Sequence, residues 1–129
     1  MLAKILLIAL AGGMILLAQR APEERSVLER GKDLFARRCS GCHALDLNKE
    51  GPQLRGVYGR KAASVPGFDY SDALKRAGIR WDDTSLDRWL SDPDAMAPDT
   101  EMAFRMTDGG ERKAVIAYLK GSGEQPGKP

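Results

Sequence analysis

Cys39-Ser40-Gly41-Cys42-His43 constrains this chain more than any other feature, because both cysteines and the only histidine of its 129 residues fall within five consecutive positions. CxxCH is the spacing at which two thiols each add to a vinyl group of a haem while the next residue offers imidazole to the iron. Two other uses of paired cysteines fit less well. A thioredoxin-like redox pair needs a βαβ context that this sequence lacks, and a zinc site needs a fourth ligand and usually a second Cys/His cluster. The motif therefore predicts one covalently attached haem c, with Cys39 and Cys42 as attachment sites and His43 as an iron ligand.

The length fits a single domain, and removal of a leader would leave a body near the lower end of comfortable single-core sizes. Aromatic residues make up only 6% of the chain, so a large buried apolar cofactor supplies core that the side chains alone would struggle to provide. The cofactor is expected to be structural as well as chemical.

Met1-Leu2-Ala3-Lys4, followed by an uncharged stretch from Ile5 to Gln19, has the charged start and apolar centre of a secretory signal. That stretch would span only about 22 Å as a helix, short of a hydrocarbon core of roughly 30 Å, although Lys4 can snorkel and let Leu2 and Ala3 contribute. Ala18 is the best cleavage position, with Leu16 an imperfect residue before it. Residues 1–20 thus read as a signal peptide or as an anchor that holds residues 2–19 in a membrane, with a domain over 22–121 and a flexible, Gly/Pro-rich tail over 122–129.

The formal net charge of +2 falls to +1 if Lys4 leaves with the leader, and two haem propionates would bring the protein to about neutral or slightly negative. No basic stripe with interleaved aromatics is present, so nucleic acid is not an expected partner.

Along the body, Val27, Leu28, Gly31, Leu34 and Phe35 recur at helical spacing and predict a helix over 22–38 with the haem motif at its end. Gly31 in its interior costs about 1 kcal/mol relative to alanine, which points to a close helix crossing. From Ala44 to Gly67, glycines and prolines punctuate a segment without sustained period, the mark of a long loop with something to wrap. Ser71 to Ala77 predicts a short helix stopped by Gly78. Asp83 can cap a helix carrying Leu86, Trp89 and Leu90 on one side, which Pro93 ends. A second irregular segment spans Asp94 to Met106. Asp108 and Glu111 have capping-box spacing and open a last helix through Lys120, with Gly121 as its stop. No repeats and no convincing strands appear, so the fold class is all-α with large loops.

A second axial ligand cannot be histidine, because none remains. Methionine is the natural candidate, and Met96, Met102 and Met106 are available outside the leader. Met102 sits in the polar, proline-led run Pro98-Asp99-Thr100-Glu101-Met102, where a thioether has little reason to be unless it turns inward; the other two have the usual alternative of filling a core.

From about Gly31 to Tyr118 the sequence resembles the class I cytochromes c, the mitochondrial type together with its bacterial relatives. The motifs that carry the resemblance are Gly31 and Phe35 before CxxCH, Gly51-Pro52-Gln53-Leu54, Gly59-Arg60-Lys61, Pro66-Gly67-Phe68-Asp69-Tyr70 and Gly78-Ile79-Arg80-Trp81. Pro98 to Met102 and Ala117-Tyr118-Leu119 complete the set. The resemblance implies the cytochrome c fold, all-α, with helices and long loops wrapped around one covalently bound haem. By position it implies His43 as proximal ligand and Met102 as distal ligand. It also implies Pro52 as the carbonyl that orients the proximal imidazole, and Arg60, Tyr70 and Trp81 as donors on the propionate side. Gly31, Phe35 and Tyr118 resemble the family's contact between terminal helices.

The implied function is one-electron transport in the exported, periplasmic space, with no substrate turned over. The implied partners are a quinol:cytochrome c oxidoreductase on one side and a terminal oxidase or another periplasmic redox enzyme on the other, and the protein is expected to be a monomer. A haem enzyme or gas sensor with an open or labile distal site is the alternative. Three departures from the family pattern stand out. Trp89 occupies the position where the family often has a tyrosine beside the methionine sulfur, and Asp99 and Glu101 replace a glycine and a lysine just before the ligand. A ring of lysines around the haem edge is not evident, so docking through a strongly positive face is not expected.

Overall fold

The first helix, α1 (residues 22–34), buries Gly31, Leu34 and, just past its end, Phe35, while Leu28 stays 41% exposed. The computed structural model describes residues 22–123; the expectations for a leader at 1–20 and for most of the tail lie outside the described residues. Helix α1 does not run straight to Arg38. It widens into one π-helical turn over Phe35–Cys39, with the Ser40 N–H donating to the Phe35 carbonyl at 3.0 Å. A π turn shifts the side-chain phase by one residue, and such turns concentrate at functional sites. Here it leaves Cys39 partly buried at the start of the turn that carries Cys42 and His43.

Residues 44–71 contain no helix, and the predicted wrapping loop is observed. It is pinned to the haem motif by Gly51 N–H on the Cys42 carbonyl at 2.8 Å and by Leu54 N–H on the Ala44 carbonyl at 3.0 Å. Its far end is held by an isolated antiparallel bridge between Lys61 and Arg80, the sole β pairing among the described residues.

Three shorter helices follow. Helix α2 (Asp72–Arg76) is capped by Ser71, whose hydroxyl accepts the Leu74 N–H, and the chain leaves through Gly78 at φ +64° as expected. Helix α3 (Asp83–Ser91) buries Leu86, Trp89 and Leu90, but its N-cap is Asp82, one residue before the expected Asp83. Asp82 wins because Ser85 stands three residues on and closes a reciprocal capping box. Pro93 ends α3 and also starts α4 (Pro93–Met96), so the segment expected to be irregular from Asp94 opens as a helical turn. Proline at the first helical position lacks only an N–H that would be unpaired anyway.

Helix α5 (Gly109–Ser122) runs two residues beyond Lys120, through Gly121, and buries Ser122. Asp108 caps it through the Glu111 N–H, but the reciprocal half of the expected box is absent: the Glu111 carboxylate instead pairs with Arg38 at the end of the first helix. Helix α3 packs on α5 and on α4. Gly31 meets α5 where predicted, since a methyl group there would lie 2.8 Å from Tyr118 Cβ and closer still to the Ala114 carbonyl oxygen. The Phe35 and Tyr118 rings extend this crossing at 5.4 Å between centroids.

Candidate haem site

The Cys39 carbonyl accepts N–H bonds from Cys42 at 3.1 Å and from His43 at 2.9 Å, so the turn after the π segment holds all three residues of the motif at fixed spacing. Cys39 is partly buried and Cys42 exposed, and neither is in a disulfide. Burial pushes the Cys39 thiol up, and hydrogen bonding to Glu50 pushes the Cys42 thiol up. Redox-active cysteine pairs need lowered values, so the local chemistry runs against a thioredoxin-like role.

His43 presents one nitrogen to the protein and leaves the other. Its Nδ1 lies 2.8 Å from the Pro52 carbonyl oxygen, which fixes the tautomer with the proton on Nδ1 and the lone pair on Nε2. Burial pulls the imidazole below its ordinary value, outweighing the Pro52 carbonyl, which favours the proton. A neutral ring with a free Nε2 is the form that binds a metal.

His43 lines an apolar cavity of about 320 Å³. Cys39, Cys42, Pro52, Arg60, Tyr70, Trp81 and Met102 line the same cavity, which brings every site residue expected from the sequence together. Met96 and Met106 do not line it, and Met106 is fully buried in the core at 0% exposure, its N–H on the Leu90 carbonyl at 2.7 Å. Among the three methionines, only Met102 faces the space that His43 faces.

The propionate-side candidates keep donors in reserve. Arg60 is half-buried and spends two N–H groups on the Gln53 and Arg55 carbonyls, and burial lowers its otherwise high value. The Tyr70 hydroxyl accepts the Val65 N–H at 3.2 Å, which leaves its own proton free to donate. Among the described residues the Trp81 indole N–H makes no hydrogen bond. Three donors with spare capacity lining an apolar cavity suit a cofactor that is apolar across its ring and carries carboxylates.

Two contacts were not read from the sequence. Gly51 abuts the imidazole so closely that a methyl group there would lie 2.7 Å from His43 Nδ1. The Gly51-Pro52 pair was visible, but only the fold shows what the glycine touches. The other is at Trp89, whose Nε1–H donates to Met102 Sδ at 3.1 Å. The hydroxyl is absent as expected, yet the sulfur has a donor.

Known proteins give the same outline. A sequence model of the cytochrome c family matches residues 28–122. Cytochrome c of Gibberella zeae is 44% identical over 103 residues, covering 74% of this chain and 93% of that protein. Cytochrome c2 iso-2 of Magnetospirillum fulvum is 41% identical over 85 residues, covering 64% of this chain and 88% of its own. The solved structure of cytochrome cH from Methylobacterium extorquens superposes with a TM-score of 0.69 at 41% identity, covering 72% of this chain and 96% of that one.

Proposed function

The chain belongs to the cytochrome c family and is a c-type electron carrier with one covalently attached haem, and from that premise we propose that His43 and Met102 would hold its iron. The observation that carries this reading is that both line one apolar cavity, His43 with Nε2 unclaimed and Met102 as the single methionine there. The haem, when bound, supplies an iron that accepts and gives up one electron, at a potential that His/Met ligation raises.

The remaining work belongs to side chains. Cys39 and Cys42 would hold the ring through thioethers, and Pro52 orients His43 and raises its basicity by accepting its Nδ1–H. Arg60, Tyr70 and Trp81 would donate to the propionates, while the surrounding apolar wall excludes water and keeps reorganisation small. Residues 22–121 form the haem domain. The charged start and apolar stretch of residues 1–20 support export to the periplasm, by a cleaved signal or a retained anchor. The protein acts there as a monomer that transforms no substrate. It takes electrons from a quinol:cytochrome c oxidoreductase and passes them to a terminal oxidase or another periplasmic redox enzyme in brief, weak encounters.

Individual methionine replacements test the ligand assignment. Met102→Ala is expected to abolish the weak red charge-transfer band of the oxidised protein and lower its potential, with the haem still attached. Met96→Ala and Met106→Ala are expected to keep the band. Loss of the band in either of those two, or rapid carbon monoxide binding by the reduced wild-type protein, overturns the reading.

A further inference from the structure

Met102 lies in a stretch of chain with few bonds of its own. Among the described residues, Glu101 to Arg105 make no backbone–backbone hydrogen bond, so the stretch is held at its two feet and by side chains. The first foot is α4, after which the Thr100 N–H donates to the Ala97 carbonyl at 3.0 Å. The second is Met106, whose N–H reaches the Leu90 carbonyl near the end of α3 at 2.7 Å.

Asp92 touches both feet. Its N–H donates to the Arg88 carbonyl at 2.9 Å and closes α3, while its Oδ1 accepts the Ala95 N–H at 3.4 Å and opens α4. The same oxygen accepts Nε–H and Nη2–H of Arg105, at 3.0 and 2.7 Å. Residues 93–104, Met102 among them, are therefore a loop closed at its base by one carboxylate–guanidinium contact. Arginine suits that task, because its planar fork is always charged and brings two donors to one acceptor at fixed spacing.

We propose that Asp92 and Arg105 are positioning residues that clasp the base of this loop and so hold Met102 at the iron. The proposal rests on Met102 being an axial ligand. A loop that swings away to admit another ligand stretches the contact, so the clasp favours the closed arrangement alone and shifts the equilibrium toward it. The side chains of Asp92 and Arg105 are 45% and 54% exposed, which makes the effect modest and sensitive to salt.

Titration of the full-length oxidised holoprotein with imidazole at about pH 8, where imidazole is largely neutral, measures loop opening through loss of the red band. At about 10 mM salt, Arg105→Gln is expected to bind imidazole about threefold more tightly than wild type, the effect of losing one exposed charge pair. At about 1 M salt, where screening reaches contact distances, most of that gap is expected to close. Asp92→Asn keeps a capping side chain at the start of α4 and is expected to tighten binding as Arg105→Gln does. The double variant is expected to bind no more tightly than either single one, since both remove the same contact. Wild-type affinity in Arg105→Gln overturns the proposal. So does a gap that high salt leaves unchanged, because packing rather than charge is then at stake, and so does additive tightening in the double variant. A red band that survives Met102→Ala instead removes the ligand assignment on which the proposal stands.

Discussion

The carbonyl oxygen of Pro52 lies 2.8 Å from His43 Nδ1, and Gly51, the residue before it, presses against the same ring. One peptide segment thus both hydrogen-bonds the imidazole and walls it in. A methyl group on Gly51 would stand 2.7 Å from Nδ1, too close for any real contact. Gly51→Ala is therefore expected to push the ring off the Pro52 carbonyl and destabilise the holoprotein by about 1–3 kcal/mol, the usual cost of overpacking. Thermal unfolding measures the loss. An unchanged midpoint would mean that the loop yields instead of the ring.

Gly31 and Gly121 make opposite predictions for the same substitution. Both lie in helices, where alanine gains about 1 kcal/mol in propensity. At Gly31 the added methyl would run into the Ala114 carbonyl and Tyr118 Cβ, backbone and side chain of α5. Gly31→Ala is thus expected to lose about 1–3 kcal/mol net by forcing α1 and α5 apart. At Gly121 the nearest atom is Leu28 Cδ2 at 3.7 Å, an ordinary contact. Gly121→Ala is expected to gain about 0.5–1 kcal/mol. Denaturant unfolding of the two variants side by side decides it, and the same sign for both would refute the packing account of Gly31.

The haem motif and the wrapping loop were legible because they depend on residue type at short spacing, whereas the Pro52 carbonyl on His43 followed from the resemblance alone. Gly31 was legible too, since a glycine inside a strong helical pattern needs a reason. The π turn at Phe35–Cys39 was not, because one residue of phase slip leaves an apolar pattern intact. Pro93 was read as a stop, although a proline that ends one helix can equally begin the next. The broken capping box at Glu111 depends on Arg38, 73 positions away, and the Trp89 contact with Met102 crosses between α3 and an irregular segment. These are tertiary facts, and no local rule contains them.

Acid sensitivity follows from the two aspartate caps. Asp82 accepts the Ser85 N–H and Asp108 the Glu111 N–H, each at 2.8 Å, and these backbone bonds hold both carboxyls below the ordinary value of 3.8. A depressed folded value means that the ionised cap contributes stability above the unfolded value and loses it as pH falls through the folded one. Thermal midpoints are therefore expected to drop as pH falls below about 4. Asn caps a helix without titrating, so the double variant Asp82→Asn, Asp108→Asn is expected to show a flatter profile over that window. Parallel profiles would assign the acid loss to other carboxylates, such as Asp46, which Arg55 holds low.

Asp99 stands at φ +65°, in the left-handed region, three residues before Met102. Its N–H donates to Asp94 Oδ1 at 3.1 Å, a backbone bond that any residue at 99 would keep. An L-residue in this conformation carries about 1–2 kcal/mol of strain, somewhat less for aspartate. Glycine carries none, but it loosens the unfolded chain by about 0.4–1 kcal/mol. The difference favours glycine by up to about 1 kcal/mol. Asp99→Gly is thus expected to raise the thermal midpoint by a few degrees and to leave the red band in place, since the backbone path to Met102 does not change. A lower midpoint would show that the aspartate side chain holds this loop by more than its backbone conformation costs.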